Sequence, residues 1–228
     1  MKVTTDACLF GAWAASKARE RELTVQKRIL DIGAGTGLLS LMIAQQCDVQ
    51  VDAIEIDKAA AEQASENVNS SPWKEKIRVM QGDIKSIAKG PMSCYDIVVC
   101  NPPFYENELT SPSHEKNIAH HSKELSLPEV LQAIHDSLVR EGQFFLLLPF
   151  KRMTEAELLL ENFNLLITET LLVKQTVNHN FFRVLVTGKI NNNGNGKNYA
   201  RTELAIMDEQ QHYTKEFTAL LKDYYLHL

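Results

Sequence analysis

The tetrapeptide Asn101-Pro102-Pro103-Phe104 follows directly on the apolar run Tyr95 to Cys100, and its residue types suit one chemical problem. An amine conjugated to a purine ring, or a side-chain amide, is a poor nucleophile because its lone pair is delocalised. The side-chain carbonyl of Asn101 and the backbone carbonyl of Pro102 can accept the two amine hydrogens, orienting the nitrogen and favouring a localised lone pair. Consecutive prolines stiffen that backbone, and Phe104 offers an apolar plane on which a flat group can stack. No strong general base is then required. Asn-Pro and Pro-Pro are also ordinary turn punctuation; the position at the end of a buried strand favours the chemical reading.

A second segment, Leu30-Asp31-Ile32-Gly33-Ala34-Gly35-Thr36-Gly37, stands where a strand should turn into a helix. Glycines there let a ligand approach the backbone, and a helix start presents free amides. The dinucleotide fingerprint G-x-G-x-x-G fails, because Leu38 follows Gly37. The pattern is instead G-x-G-x-G preceded by an acid. Glu55 ends the next apolar run, where a carboxylate can accept both hydroxyls of a ribose, while Asp57 suits the cap of the helix that follows. Asp83 follows the third run. Acids after strands commonly cap helices, so each is weak alone; three in order after successive strands make the stronger signal.

These groups need a scaffold that brings strand ends together. Buried-strand runs alternate with helical periods, which predicts a mainly parallel sheet covered on both faces. Strands are expected at Arg28 to Ile32, Gln50 to Glu55, Ile77 to Gln81, Tyr95 to Cys100 and Gln143 to Leu148. Helices are expected at Gly37 to Gln46, Lys58 to Asn69 and Leu127 to Val139, with a short helical turn after Asp83. Beyond Pro149 the pattern gives a helix at Thr154 to Glu161, two extended runs (Leu165 to Val173 and Phe181 to Ile190) able to pair antiparallel, a turn-rich loop at Asn191 to Lys197, and a docking helix within Tyr213 to Leu228. The connection Asn101 to Glu124 is long and polar, as functional loops are.

Composition sets the outer limits. With 228 residues, 44% of them apolar, the chain reads as one soluble α/β domain spanning 1–228, not as a disordered or fibrous protein. The longest apolar runs fall short of a bilayer span. Ala7 to Ala15 loosely imitates a secretory signal, but Asp6 and a single lysine argue for a capped helix from Thr4-Thr5-Asp6 to about Arg19. The four cysteines (Cys8, Cys47, Cys94, Cys100) include no Cys-x-x-Cys pair, so reduced thiols in a cytoplasm are expected. A net charge of -5 gives no overall basic field, so any nucleic acid must be held by local patches such as Lys74, Lys76 and Arg78, or Lys151 and Arg152, or with the help of a second molecule. His114, His120 and His121 have no standard metal spacing, and no metal is expected. Cys100 reads as packing rather than as a nucleophile.

Taken in order, Asp31 to Gly37, Glu55, Asp83 and Asn101 to Phe104 resemble the motifs of class I S-adenosylmethionine-dependent amino-methyltransferases. Met1 to Asp6, Leu9 to Ala14, Asn69 to Trp73 and the terminal Tyr213 to Leu228 more closely resemble bacterial tRNA1(Val) adenine N6-methyltransferases. The resemblance covers nearly the whole chain. It implies a Rossmann-like α/β fold: a mainly parallel seven-stranded sheet, helices on both faces and an antiparallel edge strand. It also implies methylation of adenine 37 in the tRNA1(Val) anticodon loop. Thr5, Asp6, Asp31, Gly33, Gly35, Gly37, Glu55, Ile56, Asp83, Ile84 and Asn101 would lie around the cofactor, S-adenosylmethionine, with Asn101, Pro102, Pro103 and Phe104 catalytic. Two departures stand out: the chain starts at the match, without the aromatic and lysine-rich extension usual in the family, and Ile118-Ala-His-His121 occupies the place of an Ala-Arg pair.

Two other functions use parts of the same pattern. A protein-glutamine N5-methyltransferase applies the Asn-Pro-Pro-aromatic device to an amide, and is expected to carry an extended N-terminal helical domain ahead of these motifs, a feature this sequence does not display. A cofactor-binding RNA-binding protein without catalysis would have no need of amine-orienting carbonyls.

Overall fold

The structure, a computed structural model, describes residues 3–20, 27–87, 94–102, 125–192 and 198–227. Its strands are β1 (Arg28–Ile32), β2 (Gln50–Glu55), β3 (Ile77–Gln81), β4 (Tyr95–Cys100), β5 (Leu138–Pro149), β6 (Leu165–Thr176), β7 (Phe181–Ile190) and β8 (Ala200–Met207). Its helices are α1 (Thr5–Glu20), α2 (Leu38–Gln46), α3 (Lys58–Asn69), α4 (Ile84–Ile87), α5 (Leu127–Ser137), α6 (Met153–Asn162) and α7 (Lys215–Leu221). One sheet holds all these strands in the order β3-β2-β1-β4-β5-β7-β6-β8. Strands β1 to β5 are parallel to one another, β7 runs antiparallel between β5 and β6, and β8 lies parallel to β6.

The fold class expected from the sequence is present, with one addition. The seven expected strands are followed by β8, so the sheet has eight among the described residues and β8 forms the outer edge. The pattern did not announce β8: its first four residues are all exposed, and only Leu204 and Ile206 alternate into the core. It forms because its backbone pairs with β6 from Glu169↔Ala200 to Thr176↔Met207. The C-terminal helix is also shorter than its periodicity suggested, ending at Leu221.

Two apolar layers cover the sheet. Against one face lie α1, α2 and α7, sharing a core with Val51, Phe145 and Leu185; against the other lie α5 and α6, around Leu30, Val98 and Phe144. The alanine-rich run Ala7 to Ala15 is the buried body of α1, enclosed on nearly all sides. Gly11 explains how close it lies to α2: a Cβ there would stand 2.6 Å from the Met42 sulfur. Helix α5 starts in a capping box, with the Ser126 hydroxyl and Glu129 carboxylate each serving the other's backbone. That cap, worth about 1 kcal/mol, fixes where α5 begins. Among the described residues no helix is long and apolar enough to cross a membrane.

Candidate active site

Parallel pairing brings the candidate residues to one edge. In register, Ile32 lies beside Ile54 and Cys100, and Glu55 beside Gln81, so β1, β2, β3 and β4 all end together. The strand order reverses between β1 and β4, and at such a switch point the outgoing connections diverge and leave a crevice. Gly33 to Gly37 and Asn101-Pro102 flank that crevice from adjacent strands.

The glycine segment is a tight turn that only glycines adopt readily: Gly33, Gly35 and Gly37 have φ of 70°, 57° and 80°. The Gly33 and Ala34 N–H groups donate to the Ile54 carbonyl at 2.9 and 3.0 Å, which pins the turn to β2. A Cβ on Gly33 would meet nothing within 4 Å, so its outer side opens on free space. On the far side, Gly37 backs onto Ala64 of α3.

Asp31 lies wholly buried beneath this turn. Its Oδ2 accepts from the Ser40 backbone N–H at 3.2 Å and the Ser40 hydroxyl at 2.7 Å, while its Oδ1 has no hydrogen-bond partner. Burial pushes its carboxyl up to about 6, Ser40's hydrogen bonds oppose the rise, and the neighbouring Glu55 carboxylate adds to it. Ser40 is a site residue that the motif reading missed. Its signal was a lone hydroxyl in an otherwise apolar helix start, Leu38-Leu39-Ser40-Leu41-Met42.

Glu55, only 7% exposed, spends one oxygen on each of two backbone donors. Its Oε2 accepts from Gly35 N–H at 2.8 Å and its Oε1 from Asp57 N–H at 2.9 Å. A carboxylate oxygen has two acceptor directions, so each retains one for a hydroxyl. Asp57 caps α3 by accepting from Ala60 N–H at 2.9 Å, as its position suggested. Asp83 likewise accepts from Lys85 N–H at 2.9 Å, yet it stays half-buried at the strand edge, with Ile84 buried beside it. Ile56, 41% exposed, projects from the same edge. Thr5 and Asp6 open α1, and Asp6 Oδ2 accepts from Arg183 Nε at 2.7 Å.

Asn101 is half-buried and Pro102 buried, immediately after β4. Pro103, Phe104 and the segment with His114 and Ile118 to His121 lie outside the described residues. Cys100, 1% exposed, has its thiol pushed well above the ordinary range by burial, with the Asp31 and Glu55 carboxylates adding to the effect. It is packing, and no thiolate is available there. Among the described residues no cluster of histidine, cysteine and carboxylate groups could hold a metal ion. Of the two basic patches, Lys76 pairs with Asp48 at 3.0 Å, and Arg152 with Glu155 at 2.8 Å.

These groups can do two things together. Open space over a glycine turn, a buried carboxylate oxygen lacking a donor, and a second carboxylate with spare acceptor capacity suit a ligand carrying an ammonium and a pair of vicinal hydroxyls. Such a donor set fits S-adenosylmethionine. Beside it, the carbonyls of Asn101 and Pro102 suit a planar amine.

The comparisons with known proteins agree on the class. The profile of the methyltransferase small domain family matches residues 15–133. A tRNA1(Val) (adenine(37)-N6)-methyltransferase of Bacteroides thetaiotaomicron is 36% identical, covering 100% of this chain and 92% of its own. One from Pectobacterium carotovorum is 35% identical, covering 99% and 88%. Among solved structures, a predicted O-methyltransferase of Agrobacterium tumefaciens superposes with a TM-score of 0.69 at 18% identity over 94% of both chains. A SAM-dependent methyltransferase from Aquifex aeolicus gives 0.55 at 16%, over 83% of this chain and 100% of that one. At such identities the structural likeness concerns the fold.

Proposed function

The chain belongs to the tRNA1(Val) (adenine(37)-N6)-methyltransferase family, and from that membership we propose that it methylates N6 of adenine 37 in the anticodon loop of valine tRNA, using S-adenosylmethionine. The observation that carries the reading is the placement of Asn101 and Pro102 at the end of β4, directly beside the glycine turn that ends β1. A methyl donor held on the one faces an amine held on the other.

When bound, S-adenosylmethionine supplies an electrophilic methyl group on a sulfonium. The chain's own residues bind and orient. Asp31 Oδ1 offers a buried negative charge to an ammonium, Glu55 offers its spare acceptor directions to ribose hydroxyls, and Asp83 with Ile84 and Ile56 borders the adenine end. Thr5 and Asp6 form the facing wall. Asn101 Oδ1 and the Pro102 carbonyl accept the two hydrogens of the target amine, so its lone pair turns towards the methyl group. The developing positive charge on nitrogen strengthens both hydrogen bonds, which is where rate acceleration arises. Pro103 and Phe104 complete the motif, the latter as a stacking plane.

An anticodon loop is single-stranded, so presenting its base costs less than extrusion from a duplex. Such a substrate puts the enzyme in the cytoplasm, with local cations such as Lys151 and Arg152, in the turn that follows β5, meeting phosphates. The test is radiolabel transfer to unmodified valine tRNA compared with a glutamine-bearing release-factor peptide. Label on N6-methyladenosine in the tRNA is expected. Label on the peptide alone would replace this reading with glutamine methylation.

A further inference from the structure

The first turn of α1 extends beyond the start of α2. Gly11 lies against Leu39 and Met42 near the start of α2, the Ala15 carbonyl accepts from the Cys47 thiol at 3.8 Å, and Arg19 donates to the Gln46 side chain at 3.2 Å. The two helices therefore run in the same direction. Thr5 lies six residues before Gly11, which at 1.5 Å per residue carries the first turn of α1 about 9 Å beyond that crossing, past the level of Gly37 and out to the strand edge where the glycine turn begins.

An overhanging helix end needs support, and it comes from two distant parts of the chain. On one side Tyr225, T-stacked on Phe217 with centroids 6.2 Å apart, brings its hydroxyl to Cys8 and Thr5. On the other, Arg183 donates its Nε to Asp6 Oδ2 at 2.7 Å, with the two side chains only 30% and 15% exposed. Arg183, the third residue of β7, pairs in register with Pro149 at the end of β5, which places it on the edge that also carries Asn101. Its guanidinium lies 5.4 Å from the Phe182 ring, which limits the directions in which it can reach. Burial pushes the Asp6 carboxyl up, but the Thr4 hydroxyl, the Arg183 guanidinium and the Ala7 N–H outweigh it and hold it below the ordinary value. Asp6 is thus a fixed anion that needs its cation.

We propose that Arg183 is a positioning residue for cofactor binding: through Asp6 it fixes where the first turn of α1 stands at the strand edge that carries the glycine turn. The same contact ties that wall to β7, and so to the strand edge where the amine is presented. This rests on the reading of Gly33 to Gly37 as the S-adenosylmethionine cleft.

The experiment is calorimetric titration of S-adenosylhomocysteine into wild type, Arg183→Gln, Arg183→Lys, Asp6→Asn and the Arg183→Gln/Asp6→Asn pair, with thermal melting of each and steady-state kinetics on valine tRNA. Arg183→Gln is expected to weaken binding and raise the cofactor KM by about ten-fold, with kcat at saturating cofactor within about three-fold of wild type. Arg183→Lys should recover part of the loss, because an ammonium can still meet Asp6. The paired variant should be no worse than Arg183→Gln, since both changes break one contact. Wild-type affinity in Arg183→Gln, or a fall in kcat as large as the rise in KM, overturns the proposal. So do losses that multiply in the paired variant. If Arg183→Gln does not fold, Arg183→Lys and Asp6→Asn carry the same expectation at smaller amplitude. Failure of wild type itself to bind S-adenosylhomocysteine would remove the cofactor reading, a result distinct from equal binding by wild type and variant.

Discussion

The Glu55 carboxylate reaches from the end of β2 to the backbone N–H of Gly35 at 2.8 Å, so the acid proposed to hold the ribose also fixes the middle of the glycine turn. Its other oxygen holds Asp57 N–H at 2.9 Å, and through it the start of α3. The two roles separate by substitution. Glu55→Ala leaves two backbone donors unpaired and removes the hydroxyl acceptors, so cofactor affinity should fall about 10- to 100-fold, equivalent to about 1–3 kcal/mol, with a lowered melting temperature. Glu55→Gln keeps one oxygen acceptor and should lose less of both. Calorimetry and melting on the two variants check this; unchanged affinity in Glu55→Ala would take Glu55 out of the site.

Gly33→Ala separates turn geometry from ligand space. At φ 70° an alanine is strained by roughly 1–2 kcal/mol, and its methyl would project into the open side of the turn. The variant should fold with a modestly lower melting temperature and bind S-adenosylhomocysteine much more weakly than that strain alone explains. Normal binding would place the ligand elsewhere.

Asn101→Ala should abolish methyl transfer while leaving cofactor affinity within a few-fold, because its carbonyl acts on the amine in the transition state. Single-turnover assays beside calorimetry distinguish the two effects. Near wild-type turnover would refute amine orientation by this residue. Phe104→Ala should appear instead as weaker RNA binding.

Asp31 gives the ligand-free protein a pH signature. Its carboxyl is raised to about 6 by burial, against about 3.9 in an unfolded chain, so between those values the folded state holds more protons. The Asp31 contribution to stability is therefore largest at low pH and falls as the pH rises through that window. Asp31→Asn cannot ionise, so the wild-type melting temperature should fall relative to the variant between about pH 4 and 6. At pH 7.5 the variant should bind the cofactor more weakly, having no charge for the ammonium. A constant difference in melting temperature across the window would show that Asp31 does not titrate there.

An acidic chain with few local cations should hold tRNA weakly. A plot of log affinity against log salt should have a slope of magnitude below about 4, as for a handful of phosphate contacts. Filter binding across a salt series measures it, and a steeper slope would mean that a broader basic surface is engaged.

The sequence by itself determined the scaffold and where the candidate site residues fall on it, because both follow from local rules. Buried-strand runs alternating with helical periods demand a parallel sheet; glycines at 33, 35 and 37 are needed where the backbone turns through positive φ, and an acid at each strand end lands on one edge once the strands are parallel. Tertiary structure alone decided what depends on partners far along the chain. Strand β8 exists because β6 offers its backbone, not because Arg201-Thr202-Glu203 alternates. The unpaired Oδ1 of Asp31 follows from Ser40 engaging only one of its two oxygens. Asp6 reads in the sequence as a helix cap, and only the folded chain sets it against Arg183, 177 residues away. Periodicity records which residues a segment buries; it carries no record of which distant segment buries them, and that choice rests on packing and charge pairing that exist only once the sheet has formed.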